Sequence, residues 1–285
     1  VMERALYNNV LSGISEDGEH YFYVNPLMLK PDVARYRKDH ESVEPERVKW
    51  FGCACCPPNV IRTLCGLGGY VYTQDGDAVY QHLYVGNKAQ FFTSQGEASL
   101  SCESSMPWEG NASVTYHGPS GITLYLRVPS YAENFSVKRN GEPLKPEKEK
   151  GYVRLTPQDG DVFTVHFDMT AQFVQANPRV TEDCGRAAVC RGPLVYCAEQ
   201  ADNGELLHDF TADLSCAPGV SHSDLFGGIV SLEVSGTRSN PDEWPEGVLY
   251  RLAPVARIPA RLTLIPYFLW NNRGVGEMLV WMNAR

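Results

Sequence analysis

Two hydrophobic periods divide the chain. Over the first 70 residues the spacing is helical: Met2, Leu6 and Val10 stand four apart, Ala5 lies close to the same stripe, and Ser12-Gly13 supplies a stop. Asp17-Gly18 signals a turn, the run Tyr21-Phe22-Tyr23-Val24 reads as extended, and Asn25-Pro26 breaks it. A charged loop is expected from Lys30 to Lys49. A second helix follows, with Val60, Ile61, Leu64 and Leu67 on its apolar face and Gly66, Gly68 and Gly69 at its end.

From about residue 71 the period falls to two. Val79, Gln81, Leu83 and Val85 alternate with Ala78, Tyr80, His82 and Tyr84. Ile122, Leu124, Leu126 and Val128 form a half-buried strand pattern ended by Pro129, and Phe163, Val165 and Phe167 form another. Asn140-Gly141 predicts a tight hairpin. Beyond Asn177-Pro178 the strand pattern resumes at 187–190, 194–198, 229–234, 261–265 and 278–281, whereas 199–228 reads mostly as loop. Arg191-Gly192-Pro193 and Asn272-Arg273-Gly274 read as turns joining strands. Short strands at this spacing, with no helices between them, predict a sandwich architecture. The expected organisation is mainly β with a helical N-terminal segment: 1–72 helical, then β-sandwich domains over 73–175 and 176–285.

Composition narrows the function classes. With 34 acidic against 25 basic residues the formal charge is −9, which argues against a partner held through phosphate contacts and so against nucleic acid. No apolar run reaches the roughly 20 residues that span a bilayer, so no membrane partner is expected. The chain opens on Val1-Met2-Glu3-Arg4, inside a helical pattern and without a leader sequence, so the expectation is a chain cut from something longer. Its nine cysteines, odd in number and unevenly spread, do not read as a disulfide framework. A reducing, cytoplasmic setting follows from that composition, and it makes glycosylation of Asn111-Ala112-Ser113 improbable.

Three cysteines stand apart, in Cys53-Ala54-Cys55-Cys56-Pro57-Pro58-Asn59. Neighbouring cysteines rarely bond one another across a relaxed trans peptide, whereas thiolates on a soft divalent metal are a common use of such a cluster. Prolines are tolerated in a first helical turn, so Pro57 and Pro58 place Cys55 and Cys56 at the start of the second helix. The helix dipole there favours negative charge, and a reactive or metal-bound thiolate is expected. The plainer reading is three small core residues at a helix start. Three thiols are also short of the four ligands a structural zinc takes.

The block Trp50-Phe51-Gly52-Cys53-Ala54-Cys55-Cys56-Pro57-Pro58-Asn59 resembles the signature of glycoside hydrolase family 127, the β-L-arabinofuranosidases, and of the related family 146. Supporting blocks are Ala5-Leu6-Tyr7-Asn8, Gly13-Ile14-Ser15, Phe22-Tyr23-Val24-Asn25-Pro26-Leu27, Arg191 to Cys197, Ile265-Pro266-Tyr267 and Asn272-Arg273-Gly274. The resemblance implies that 1–72 is the tail of an (α/α)6 catalytic barrel. It implies that Cys55 is the catalytic nucleophile and a Zn2+ ligand, that Cys56 is a second ligand, and that Cys53 is not one. The remaining ligands and the general acid/base would lie upstream of this segment, leaving these residues alone inactive. The implied activity is retaining hydrolysis of an arabinofuranoside-containing glycan by a thiolate nucleophile. A homo-oligomer is compatible with all of this.

Tyr23 falls in a block that runs near the sugar pocket in the family, and its ring suits sugar recognition, although a strand tyrosine is more often packing. Glu182, Asp183, Cys184, Cys190 and Cys197 could pass for a second metal site, but Cys190 and Cys197 sit on strand patterns, where a free cysteine behaves as a small hydrophobe. Two rivals remain from the residues: a noncatalytic β-sandwich carbohydrate-binding or structural module, and a thiolate zinc site without catalysis.

Overall fold

The computed structural model describes residues 1–34, 36, 43–50, 52, 53 and 55–285. It is a mainly β protein with few helices, and it divides into two compact units, 1–60 with 171–285, and 61–170.

The 61–170 unit carries two sheets. One has five strands in the spatial order Lys148–Glu149, Tyr152–Leu155, Thr123–Arg127, Ala78–Gln81 and Tyr72–Asp75. The other has six, in the order Asn87–Thr93, Gly96–Ser104, Asn111–His117, Val162–Phe167, Phe135–Arg139 and Glu142–Leu144. Alternation decides which face is buried: Leu124 and Leu126 from the first sheet and Phe163, Val165 and Phe167 from the second are each no more than 1% exposed and join a single apolar cluster. From the Ala78–Gln81 strand the alternation of buried residues runs on to Leu83 and then breaks, because Tyr84 turns inward while Val85 does not. The Asn140-Gly141 turn closes a two-residue hairpin with Arg139 opposite Glu142, and both turn residues have positive φ, 51° and 88°.

The other unit is built on one ten-stranded sheet. Its centre is Leu194–Glu199, paired with Arg186–Arg191 and Arg257–Pro266. Tyr196, Cys197 and Ala198 are wholly buried there. A strand covered on both faces shows a continuous apolar run in place of alternation. Gly219–Ser223, within the segment expected to be loop, is a strand paired with Ile229–Ser239. Its residues are almost all exposed, so no period marks it.

The helical segment departs from its sequence pattern. Met2–Arg4 is α-helical, but Ala5–Val10 is a π-helix, and the buried positions are Glu3, Asn8 and Ser12, not the Met2, Leu6 and Val10 stripe. Asn8 explains the rotation. Its amide donates 2.8 Å to the Pro193 carbonyl and accepts at 2.7 Å from the Val195 N–H, so it caps the turn between two strands of the ten-stranded sheet. The extended run at 21–24 is not a strand; Tyr21 makes only isolated bridges to Ile14 and Val48, while Met28–Leu29 forms the short strand that joins the sheet. Of the expected loop from Lys30 to Lys49, residues 35 and 37–42 lie outside the described residues, and Pro31–Ala34 is a short helix.

Candidate functional site

The second helix spans Cys56–Cys65, so its first turn holds both prolines. Neither proline has an N–H to give, and the first donor available is Asn59. Asn59 makes two hydrogen bonds to one acceptor: its backbone N–H lies 3.3 Å from the Cys55 carbonyl oxygen and its side-chain amide 2.8 Å from the same atom. Residue 55 is thereby fixed at the helix start. Its sulfur lies 3.5 Å from that of Cys56.

That separation has chemical content. It is far longer than a disulfide bond of about 2.05 Å. It is close to the roughly 3.8 Å that two thiolates span when each is about 2.3 Å from one tetrahedral zinc. The two sulfurs fit one metal without backbone movement. All nine cysteines are free thiols; Cys53 and Cys55 are exposed and Cys56 is partly so. Among the described residues no group of three or more metal-binding side chains comes together. Phe51 and Ala54 of the motif lie outside the described residues.

The helix adjoins the segment that carries Tyr23. A Cβ at Gly13 would stand 3.4 Å from Cγ2 of Val60 and 3.8 Å from the Asn25 amide nitrogen, so the backbone of Gly13 lies between them. Val60 is one helical turn beyond Cys56. Tyr23 is 47% exposed, whereas its neighbour Phe22 is 3% exposed.

A buried charge that the sequence did not single out lies beneath this segment. Arg47, only 7% exposed, donates from Nη1 to the Trp270 carbonyl at 2.7 Å and from Nη2 to the Ser12 carbonyl at 3.0 Å. Its guanidinium lies 4.5 Å from the Phe22 ring centroid. Burial lowers its pKa to about 10, with Glu199 opposing, so it stays protonated at neutral pH. Nothing in the sequence separates Arg47 from the charges around it, because its partners Ser12 and Trp270 are remote in the chain.

Asn272-Arg273-Gly274 is more than a turn. Arg273 pairs at 2.6 Å with both Glu199 and Asp202, and the hydrogen bonds it donates to these carboxylates, offset by burial, raise its pKa further above the usual arginine value. Cys197 is fully buried and burial pushes its thiol well up, so it is an apolar core residue. Glu182 and Asp183 lie in a one-turn helix, Glu182 exposed like Cys184 and Asp183 partly so.

Comparison with known proteins agrees with the motif. Residues 1–69 match the β-L-arabinofuranosidase GH127 catalytic domain, 78–169 the GH127 middle domain and 171–283 the GH127 C-terminal domain. A non-reducing end β-L-arabinofuranosidase of Bifidobacterium longum subsp. longum is 37% identical over 99% of this chain. The chain spans 44% of that relative's length. The crystal structure of a GH127 β-L-arabinofuranosidase from Geobacillus stearothermophilus T6 superposes with a TM-score of 0.93 at 37% identity, covering 100% of this chain and 46% of the other. A second solved structure, a GH127 β-arabinofuranosidase, gives 0.85 at 33% identity over 100% of this chain and 45% of its own. With its motif, its sheets and all three of its segments matched, the chain belongs to glycoside hydrolase family 127.

Proposed function

We propose that this chain is part of a retaining glycoside hydrolase that releases β-L-arabinofuranose, or a close relative, from the ends of glycans, with Cys55 as nucleophile. The single observation that carries the reading is the Cys55–Cys56 sulfur pair, 3.5 Å apart at a helix start, with Cys55 exposed. In this reading 1–72 is the tail of an (α/α)6 barrel, and 73–175 and 176–285 are β-sandwich domains. The other zinc ligands and the acid/base belong to a part of the enzyme beyond these residues.

Cys55 and Cys56 would hold the zinc, which when bound keeps a thiol ionised at neutral pH. The Asn59 clamp on the Cys55 carbonyl fixes where the nucleophilic sulfur stands before substrate arrives. In the first step the Cys55 sulfur bonds the anomeric carbon as the glycosidic C–O bond breaks, and the acid's proton goes to the leaving oxygen. In the second, water attacks the same carbon, the C–S bond breaks, and the water's proton returns to that acid/base, so the configuration is retained over two inversions. In this reading Tyr23, 47% exposed, is a sugar contact.

The test uses the full-length enzyme and an electrophilic arabinofuranose mimic. Mass spectrometry is expected to find the adduct on Cys55, and Cys55→Ser to lose nearly all turnover. An adduct only on a carboxylate, with Cys55→Ser still active, would overturn the assignment. Folded full-length protein with no glycosidase activity would favour a noncatalytic carbohydrate-binding module instead.

A further inference from the structure

The segment from Phe22 to Leu29 takes its stacking partner and several of its hydrogen bonds from residues near the other end of the chain. The Phe22 ring stacks on Trp270 with centroids 4.5 Å apart and planes 6° from parallel. The Tyr267 hydroxyl donates to the Pro26 carbonyl at 2.8 Å, and the Val280 N–H donates to the Leu27 carbonyl at 2.9 Å. Met28 pairs with Leu279 in the sheet. Arg47 completes the support by tying Trp270 to Ser12 across the Phe22 ring.

The contacts fall at the two ends of this segment, at Phe22 and from Pro26 to Met28. Phe22 points down into the stack; Tyr23 points out and is 47% exposed. The carbonyls of Pro26 and Leu27 are taken by the C-terminal residues, while Asn25 reaches only the Asn9 carbonyl, at 3.4 Å. Burial raises the Tyr267 phenol further above its ordinary value, so it remains a donor through neutral pH. A segment fixed at Phe22 by an aromatic stack and at Pro26 and Leu27 by two hydrogen bonds has few ways to shift the backbone between those points.

We infer that the 267–280 stretch of the C-terminal sheet region is a positioning device for sugar recognition, with Tyr267 and Trp270 setting where Tyr23 stands. This rests on the reading of Tyr23 as a substrate contact. The sheet region then does more than stabilise the protein: it determines KM at a site whose chemistry lies on another part of the chain. A displaced Tyr23 weakens binding of the ground state and transition state alike, so kcat and zinc content are untouched.

The experiment is a cycle in the full-length enzyme with Tyr267→Phe, Tyr23→Ala and the double variant. Tyr267→Phe removes only the hydroxyl and keeps the ring, so it avoids the folding risk of Trp270→Ala. Its KM is expected to rise about 3- to 10-fold, the range for one lost hydrogen bond, with kcat unchanged. In the Tyr23→Ala background the same change should leave KM where Tyr23→Ala put it, a coupling that loss of stability alone does not produce. Amide hydrogen exchange, which needs no turnover, should quicken over 22–27 in Tyr267→Phe. Unchanged exchange overturns the positioning role itself. Faster exchange with unaltered KM, or additive effects in the double variant, overturns the link to Tyr23 while leaving the Cys55 assignment standing.

Discussion

At the scale of single residues, the three neighbouring cysteines separate by role. In the full-length enzyme Cys56→Ser should lose activity through the metal, so added zinc restores part of it, whereas zinc does nothing for Cys55→Ser. Cys53→Ser should be mild. Kinetics measured across a zinc titration distinguishes the three. Asn8 gives a test independent of activity: Asn8→Ala leaves the Val195 N–H and the Pro193 carbonyl without their partner, at a cost of about 1–3 kcal/mol, readable in urea unfolding. The cysteines were legible because adjacency, two prolines and a helix pattern are all local. Arg47 was not, since its burial depends on Trp270, 223 positions away in the sequence. Arg273 was hidden likewise, read as a turn residue until Glu199 and Asp202 met it from across the sheet.

At the scale of elements, legibility followed burial on one face. The strands around Leu124 and Phe163 and the Asn140-Gly141 hairpin announced themselves through alternation and turn chemistry. Gly219–Ser223 did not, because an edge strand exposed on both faces has no reason to alternate. The first helix misled for a different reason: a π-helix has a longer period than 3.6, so an i, i+4 stripe no longer tracks the buried face. Asp161 shows what holds the hairpin in place. It accepts from Arg139 at 2.5 Å, from the Asn140 side chain at 2.9 Å and from the Gln158 N–H at 2.7 Å. Burial pushes its carboxyl up, but these donors outweigh it and hold the pKa below the ordinary 3.8. A depressed carboxyl stabilises the fold fully above its unfolded value and loses that contribution as pH falls through its folded one. Asp161→Asn should therefore cost about 2 kcal/mol at neutral pH, with the gap from wild type closing below about pH 4. Urea midpoints measured at pH 7 and pH 3 check both the size and the sign.

At the scale of the whole molecule, the helical segment leaves apolar side chains uncovered by the residues around it. Ile61 and Leu64, on the expected apolar face of the cysteine helix, are 48% and 37% exposed, and Trp50 is 66% exposed. The 285 residues produced alone should fold their sheets, show no arabinofuranosidase activity and self-associate through this surface. Robust release of arabinose from an aryl arabinofuranoside by the isolated chain would falsify that prediction; light scattering on the same sample reads the association.

The division of the chain also sets an order of assembly. Residues 61–170 are contiguous and form their own apolar cluster, whereas the other unit needs 1–60 to find 171–285. Closing a loop as long as the intervening stretch costs on the order of 4 kcal/mol if that stretch is still a random coil. Once its strands have paired, the stretch is compact and most of that entropy has already been spent. The inner unit is therefore expected to fold first and the outer one to follow. During synthesis the first 60 residues leave the ribosome early but wait for the last hundred. Through that interval the cysteine motif has neither Trp270 nor Tyr267 beneath its neighbouring segment, and its thiols are open to oxidation. Pulse-labelling of thiols during refolding should find Cys55 and Cys56 modified equally before and after the 61–170 sheets form, and Cys197 protected only when the ten-stranded sheet closes.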